Sequence, residues 1–119
     1  MAQTPLLAYI CLMVFIELPI FVRCAEDLFT DEDITKLQLM LLRNPSIGAL
    51  IPGGRGLRKL RVPLPGRGKR GGARVIYYHW VNRDLCYLIY AYAKNAASDL
   101  TREQLHQLAA AMAHEVDDE

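Results

Sequence analysis

The chain has 119 residues, which suits one domain with a single core, and 52% of them are hydrophobic, which excludes a mainly disordered protein. The formal net charge of +1 hides a strong polarity, because the stretch from Ile34 to Arg83 contains eleven basic residues and no acidic one. Such a surface concentrates anions, of which nucleic acid is the commonest macromolecular example. A solvated basic loop is the alternative, but most of these residues lie in or between predicted strands.

Cysteine usage argues against a disulfide framework and against a metal site. Cys11, Cys24 and Cys86 are odd in number, form no CxxC pair and have no histidine at ligand spacing. This pattern is typical of buried thiols in a reducing compartment. We therefore expect a cytoplasmic protein that holds no metal and no cofactor.

The apolar stretch over residues 6–22 could be taken for a signal peptide or a membrane anchor. No basic residue precedes Arg23, and Glu17 lies inside the stretch, which argues against both. The run from Val14 to Phe21 is rich in β-branched and aromatic residues and predicts a strand. Residues 1–12 then form an N-terminal extension, for which a misassigned start is one explanation, and no membrane partner is expected.

Two helices are expected after this strand. A short helix from about Val22 to Leu28 is followed by one that begins after Thr30, where Thr30 and Asp33 have the spacing of a capping box. Apolar residues then recur at helical spacing, at Ile34, Leu37, Met40 and Leu41. Asn44-Pro45 ends the helix, because a residue before proline avoids the α region.

Three strands and a last helix complete the expected fold. The strands are Leu57–Leu64, Ala73–Val81 and Leu85–Ala93, and their short connections imply antiparallel hairpins. Thr101 and Gln104 form a second capping box that opens the last helix. The order β-α-α-β-β-β-α predicts a small single α+β domain with helices packed on an antiparallel sheet.

The loop between the first two of these strands is rich in glycine and basic residues. Gly66-Arg-Gly-Lys-Arg-Gly71 matches the GxGxxG pattern of dinucleotide sites, but it leads into a strand and not into a helix. One interpretation is a flexible hairpin loop. The other is a mobile basic lip that grips phosphates through Arg67, Lys69 and Arg70.

Basic residues also occupy one face of the predicted sheet. Strand alternation places Lys59 and Arg61 on one face, with Leu60, Val62 and Leu64 on the other. Arg74 opens the next strand and Lys94 ends the third, so these cations can converge at one edge. A lysine crowded by cations loses its proton more readily and could act as a general base, while arginines stabilise a pentacoordinate phosphate. These parts fit RNA cleavage without a metal, with simple nucleic-acid binding as the alternative.

Four stretches together resemble the RelE/HigB-type toxins of bacterial type II toxin–antitoxin modules. They are Leu37-Gln…Leu41-Leu-Arg-Asn-Pro45, Ile51-Pro-Gly-Gly-Arg-Gly-Leu-Arg-Lys-Leu-Arg61, Pro65-Gly-Arg-Gly-Lys-Arg-Gly-Gly-Ala-Arg-Val-Ile-Tyr-Tyr78 and Ala91-Tyr-Ala-Lys-Asn95. The resemblance implies a RelE-like toxin domain over residues 13–114, followed by an acidic tail at 115–119. It implies ribosome-dependent mRNA cleavage that leaves a 2′,3′-cyclic phosphate and a 5′-hydroxyl. The implied partners are the ribosome, mRNA and a helix-turn-helix antitoxin of the HigA type, with no small-molecule cofactor.

The resemblance also implies a set of site residues. The expected catalytic residues are Lys59, Arg61, Arg74 and Lys94, where Arg74 matches the arginine that holds the scissile phosphate. The expected phosphate-binding residues are Arg55, Arg58, Arg67, Lys69 and Arg70. This chain departs from the family pattern in two ways. Some members carry a lysine where this chain has Arg61, and some use a C-terminal tyrosine, whereas this chain has no tyrosine after Tyr92. The identity of the general base therefore stays open between Lys59 and Lys69.

Two other functions remain open for the same fold. One is a toxin of the ParE branch, which inhibits DNA gyrase without cutting nucleic acid. The other is an inactive member that binds only its antitoxin and nucleic acid. The dense basic sheet face favours RNA chemistry over both.

Overall fold

The computed structural model describes residues 13–64, 72–94 and 100–117, with side chains to residue 114 in the last segment. Within these residues lie five strands: β1 (Val14–Glu17), β2 (Ala49–Leu50), β3 (Arg58–Val62), β4 (Ala73–Trp80) and β5 (Leu85–Ala93). Three α-helices accompany them: α1 (Pro19–Leu28), α2 (Asp31–Arg43) and α3 (Arg102–Asp117). The predictions for residues 1–12 and for the glycine-rich loop fall outside the described residues.

The strands form one mixed sheet in the order β1-β5-β4-β3-β2. β1 runs parallel to β5, and the other neighbouring pairs are antiparallel. The small α+β fold is therefore confirmed. The prediction of a wholly antiparallel sheet is wrong, because β1 and β5 are parallel. Parallel neighbours need a long connection, which the chain between β1 and β5 provides.

Helices cover both faces of the sheet. On one face, the buried side chains of α1 and α2 pack against Leu60, Val62, Val75, Tyr77 and Leu88. On the other face, the α3 residues Leu105, Leu108, Ala109 and Met112 pack against Leu57, Ile76, Tyr87, Ile89 and Tyr92. The two apolar faces of the sheet thus give two core layers, and the sheet is buried between them.

Both predicted capping boxes are confirmed. The backbone N–H of Asp33 donates to the Thr30 hydroxyl at 3.1 Å, and the N–H of Thr30 donates to the Asp33 carboxylate at 3.0 Å. The N–H of Gln104 donates to Thr101 at 3.0 Å, and the N–H of Thr101 donates to the Gln104 side chain at 2.9 Å. These bonds satisfy backbone donors that each first turn leaves unpaired, so α2 and α3 begin where the sequence predicts.

The first strand is shorter than expected. It ends at Glu17, and α1 begins at Pro19, so the prediction of a strand to Phe21 is wrong. Proline is favoured at the first helical position, where its missing N–H costs nothing. Phe21, Ala25 and Phe29 then fall four residues apart and bury one stripe against the sheet.

The β4–β5 connection is a single 3₁₀ turn, Val81–Arg83, followed by Asp84 in the left-handed region at φ 51°. Asp84 Oδ1 lies 3.3 Å from Nε2 of His79. The Arg83 guanidinium lies 5.3 Å from the centre of the Trp80 ring. These contacts fix the hairpin at the end of the sheet opposite Ala73.

The described residues include neither a cluster of potential metal ligands nor a helix suited to crossing a membrane. No three His, Cys, Asp or Glu side chains among these residues are grouped closely enough to hold a metal ion. No helix among them combines the length and hydrophobicity that crossing a bilayer requires.

Cys86 is fully buried, and burial raises the pKa of its thiol to about 12, with the Asp84 carboxylate contributing in the same direction. The unfolded chain releases this proton near its reference pKa of 9.0, so the folded state holds the proton over the interval between the two values. The stability that the neutral thiol contributes is complete below the lower value and is lost as the pH rises towards the higher one.

We therefore expect the melting temperature to fall as the pH rises from about 9 to about 12 and to fall less in Cys86→Ala. Thermal unfolding followed by circular dichroism across this range measures both slopes. Cys24→Ala is the control, because it removes a thiol that is only half-buried. Equal slopes in all three proteins would contradict a role for Cys86.

Candidate functional site

Three of the four residues expected to be catalytic line one cavity of about 440 Å³ at the edge of the sheet, where β2 separates from β3. They are Lys59, Arg61 and Arg74, and the remaining lining residues are Met40, Ile47, Ala49 and Leu60. β2 pairs only with Arg58 and Lys59, so the rest of β3 opens towards the cavity. The cavity therefore has a cationic side on β3 and β4 and an apolar side formed by α2, the α2–β2 connection and β2.

Arg61 and Arg74 are directly opposite each other in the β3–β4 register, and Tyr92 is opposite Arg74 on β5. Residues directly opposite in adjacent strands share a sheet face, so the three side chains form one row. Like charges placed this way destabilise a sheet. Arg74 is only 8% exposed, and its Nη1 donates to the Ala73 carbonyl at 3.3 Å. Its guanidinium carries five N–H groups, so it can also donate to an anion in the cavity.

Lys59 lies in the next row on the same face, opposite Ile76 on β4. Its neighbours Leu60 and Val62 point into the core against α1 and α2, which confirms the predicted alternation along this strand. Ile76 belongs to the core layer under α3. The cations therefore occupy the margin of a sheet face whose centre is covered by a helix.

A hydrogen-bonded clamp holds the connection between α2 and β2. The Tyr77 hydroxyl donates to the Pro45 carbonyl at 2.7 Å and accepts from the Gly48 N–H at 2.9 Å. Nη1 of Arg58 donates to the carbonyls of Gly48 at 2.7 Å and of Ser46 at 3.2 Å. Burial raises the pKa of the Tyr77 hydroxyl above its ordinary value, against the opposing effect of the Gly48 hydrogen bond, so Tyr77 stays protonated as a donor.

Only glycine fits at position 48, because the neighbouring residues leave no room for a side chain. A Cβ there would lie 2.8 Å from Cε1 of Tyr77 and 3.0 Å from the Lys59 carbonyl oxygen. The loop thus approaches β3 and β4 as closely as a backbone can. This contact fixes the side of the cavity that carries Ile47 and Ala49.

The other residues predicted for the site lie elsewhere. Lys94 is exposed just beyond β5, and its N–H donates to the Gly72 carbonyl at 3.1 Å. Arg55 lies in a turn at φ 56° and lines a separate cavity of about 160 Å³ beside α3. Arg58 lies on the core-facing side of β3 and binds the loop carbonyls. Arg67, Lys69 and Arg70 fall outside the described residues.

The apolar side of the cavity is absent from the sequence prediction. The sequence predicts Met40 only as one of the apolar residues at helical spacing in α2, and it gives Ile47 and Ala49 no role. One signal was available for Arg58: strand alternation places it on the same face as Leu60, and a charged group on a core face needs partners. Its use as a loop clamp follows from that requirement.

Comparison with known proteins identifies the family of the chain. The family model described as the RelE toxin of the RelE/RelB toxin–antitoxin system matches residues 20–118. The chain belongs to the RelE toxin family. Membership implies an antitoxin partner for this RelE-family toxin.

A solved structure of a mutant of the E. coli toxin RelE in the free state shares the fold with a TM-score of 0.58. The match covers 84% of this chain and 96% of that chain at 16% sequence identity. At this identity the likeness concerns the fold and not the site. The resemblance found in the sequence is thus confirmed at the level of family and fold.

Proposed function

We propose that this RelE-family toxin is a ribosome-dependent mRNA endonuclease that stops translation by cutting mRNA in the decoding site. The observation that supports this function is the convergence of Lys59, Arg61 and Arg74 from two strands on one cavity. A like-charge pair such as Arg61 and Arg74 costs stability in the free protein, and a bound phosphate removes that cost. Two guanidinium groups also match the geometry of phosphate oxygens.

The proposed chemistry is an intramolecular transesterification of the RNA backbone. The 2′-oxygen of one nucleotide forms a bond to its own 3′-phosphorus, and the bond from phosphorus to the 5′-oxygen of the next nucleotide breaks. The 2′-hydroxyl gives its proton to a general base, and the departing 5′-oxygen takes up a proton. The products are a 2′,3′-cyclic phosphate and a 5′-hydroxyl.

In this proposal the basic residues share the work of charge stabilisation. Arg74 and Arg61 hold the phosphate oxygens, whose negative charge grows in the pentacoordinate transition state. Lys59 lines the same cavity and is one candidate for the general base, and Lys69 of the glycine-rich loop is the other. Lys94, Arg55, Arg67 and Arg70 extend the basic surface to neighbouring phosphates.

The proposed partners follow from the same charge distribution. The excess of basic over acidic residues between Ile34 and Arg83 would attract the phosphates of mRNA and ribosomal RNA. An acidic or amphipathic segment of a helix-turn-helix antitoxin of the HigA type would neutralise this surface, with fast and salt-sensitive association. The proposed site of action is the cytoplasm, where ribosomes translate.

Primer extension in a reconstituted translation reaction tests the function directly. A defined mRNA is incubated with the toxin either free or loaded on ribosomes, and new 5′ ends are mapped. We expect new ends only in the ribosome-loaded sample. Cleavage of both samples would indicate a free-standing ribonuclease, and cleavage of neither would favour a gyrase-directed or inactive member of the fold.

A further inference from the structure

We propose that the apolar side of the cavity, formed by Met40 and Ile47, is a subsite for one nucleobase of the RNA strand. The inference rests on the proposed function, because it takes the phosphate of that nucleotide to lie on Arg61 and Arg74. It assigns a substrate-binding role to two residues outside the basic sheet face. The ligand is a single unpaired nucleotide, held by its phosphate on one side and by its base on the other.

The division of the cavity into two sides supports this occupant. Strands β3 and β4 contribute the cations, whereas α2, the α2–β2 connection and β2 contribute Met40, Ile47 and Ala49, respectively. A nucleotide has the same division, with a charged phosphate and a flat base that is poorly hydrated on its faces. The volume of about 440 Å³ lies within the range of pockets that hold small ligands. Proteins that read unpaired RNA commonly splay bases out and pack against their faces.

Ile47 is presented to this cavity by a fixed backbone. Its side chain is 43% exposed, yet its N–H donates to the Asn44 carbonyl at 3.0 Å. The N–H of Ser46 donates to Oδ1 of Asn44 at 3.1 Å, and Tyr77 and Arg58 bind the residues on either side. The exposed part of this large apolar side chain gains nothing from burial in the free protein. It is instead preorganised to contact a ligand, because little conformational freedom is lost on binding.

An apolar side of this kind contacts the face of a base and forms no hydrogen bonds with its edge. Binding should therefore depend on the presence and the area of the base, and purines should bind more tightly than pyrimidines. The cleaved sequence would be restricted only weakly at this position. Ile47 and Met40 thus act on substrate affinity, whereas Arg61 and Arg74 act on the reacting phosphate.

The test measures binding of short RNA oligonucleotides to the purified toxin, independently of the ribosome. Every 2′-oxygen carries a methyl group so that cleavage cannot occur, and one position at a time is made abasic. Fluorescence anisotropy gives the dissociation constants for the wild type and for Ile47→Ala. We expect Ile47→Ala to weaken binding about fivefold when the base is present at one position and to have no effect when that base is absent.

Leu39→Ala is the matched control, because Leu39 is a 50% exposed residue of α2 that does not line the cavity. This variant should bind both oligonucleotides like the wild type. An equal loss of affinity in Ile47→Ala for base-bearing and abasic oligonucleotides would overturn the subsite. So would wild-type binding that does not depend on a base at any position, and so would the absence of detectable binding. Loss of antitoxin binding in Ile47→Ala with unchanged base dependence would make this side a protein contact and also overturn the proposal.

The two proposals fail separately in this design. If ribosome-loaded mRNA is cut but Ile47→Ala shows no base-dependent loss, only the subsite is wrong. If the base-dependent loss is found but no mRNA is cut, the subsite stands and the nuclease activity is wrong.

Discussion

Arg74→Ala is expected to lower the rate of mRNA cleavage by roughly 100- to 1,000-fold, the usual cost of removing one donor that stabilises transition-state charge. Growth on induction of this variant should return to that of uninduced cells. Arg74 lies opposite Arg61 in the register and lines the same cavity, so its loss removes half of the proposed phosphate clamp. Arg74→Lys keeps the charge but not the fork of donors and should recover only part of the rate.

The fold should survive this change. Removing Arg74 relieves the repulsion from Arg61, which offsets part of the packing lost with its buried aliphatic chain. Urea unfolding checks the stability, and primer extension on ribosome-loaded mRNA checks the rate.

Arg83→Ala is the matched control, because it removes the same charge from the 3₁₀ turn that follows β4, at the other end of this strand. Its cleavage rate should stay within a few-fold of the wild type. Equal losses in both variants would show that total charge matters and not the position of Arg74. Unfolding of Arg74→Ala alone would make Arg74 a structural residue.

Much of the fold can be predicted from the sequence because local rules agree with the tertiary packing. The capping boxes at Thr30 and Thr101 locate α2 and α3, and Leu85–Ala93 is a strand with the expected bounds. The alternation along β3 assigns Lys59 and Arg61 to one face. Each of these signals is read within a few residues, and no distant contact overrides it.

Two features depend on distant contacts and could not be predicted from the sequence, whereas a third has a local signal. β2 is two residues long and exists only through pairing with Arg58 and Lys59. The parallel alignment of β1 with β5 joins segments about 70 residues apart in sequence, and nothing in four apolar residues gives their direction. At the start of α1 the abundance of β-branched residues predicts a strand, although the four-residue spacing of Phe21, Ala25 and Phe29 indicates a helix.

The candidate site divides in the same way. The cationic side was predicted because charge and strand alternation are both visible in the sequence. The apolar side was not, because it forms only where β2 leaves β3 and the loop after α2 returns to the sheet. The predictions for Arg67, Lys69 and Arg70 concern a loop outside the described residues and stay predictions.

The position of the α2–β2 loop depends largely on one hydroxyl group. Tyr77→Phe is expected to lower the free energy of unfolding by about 2–3 kcal/mol, because it leaves the Gly48 N–H and the Pro45 carbonyl without their partner. The ring itself is kept, so the loss is not one of core volume. Equilibrium unfolding in urea measures the change, with the slope checked for two-state behaviour.

Tyr78→Phe is the control, because Tyr78 follows directly in sequence but lies on the opposite face of β4 and cannot reach the loop. Its effect should stay within about 0.5 kcal/mol. Because Tyr77 holds the loop that carries Ile47, Tyr77→Phe should weaken base-dependent oligonucleotide binding, as Ile47→Ala does. Because Tyr77 contacts no proposed reacting group, the cleavage rate at saturating mRNA should stay nearly unchanged. A fall in that rate with unchanged binding would instead connect the clamp to the cations and not to the apolar side of the cavity.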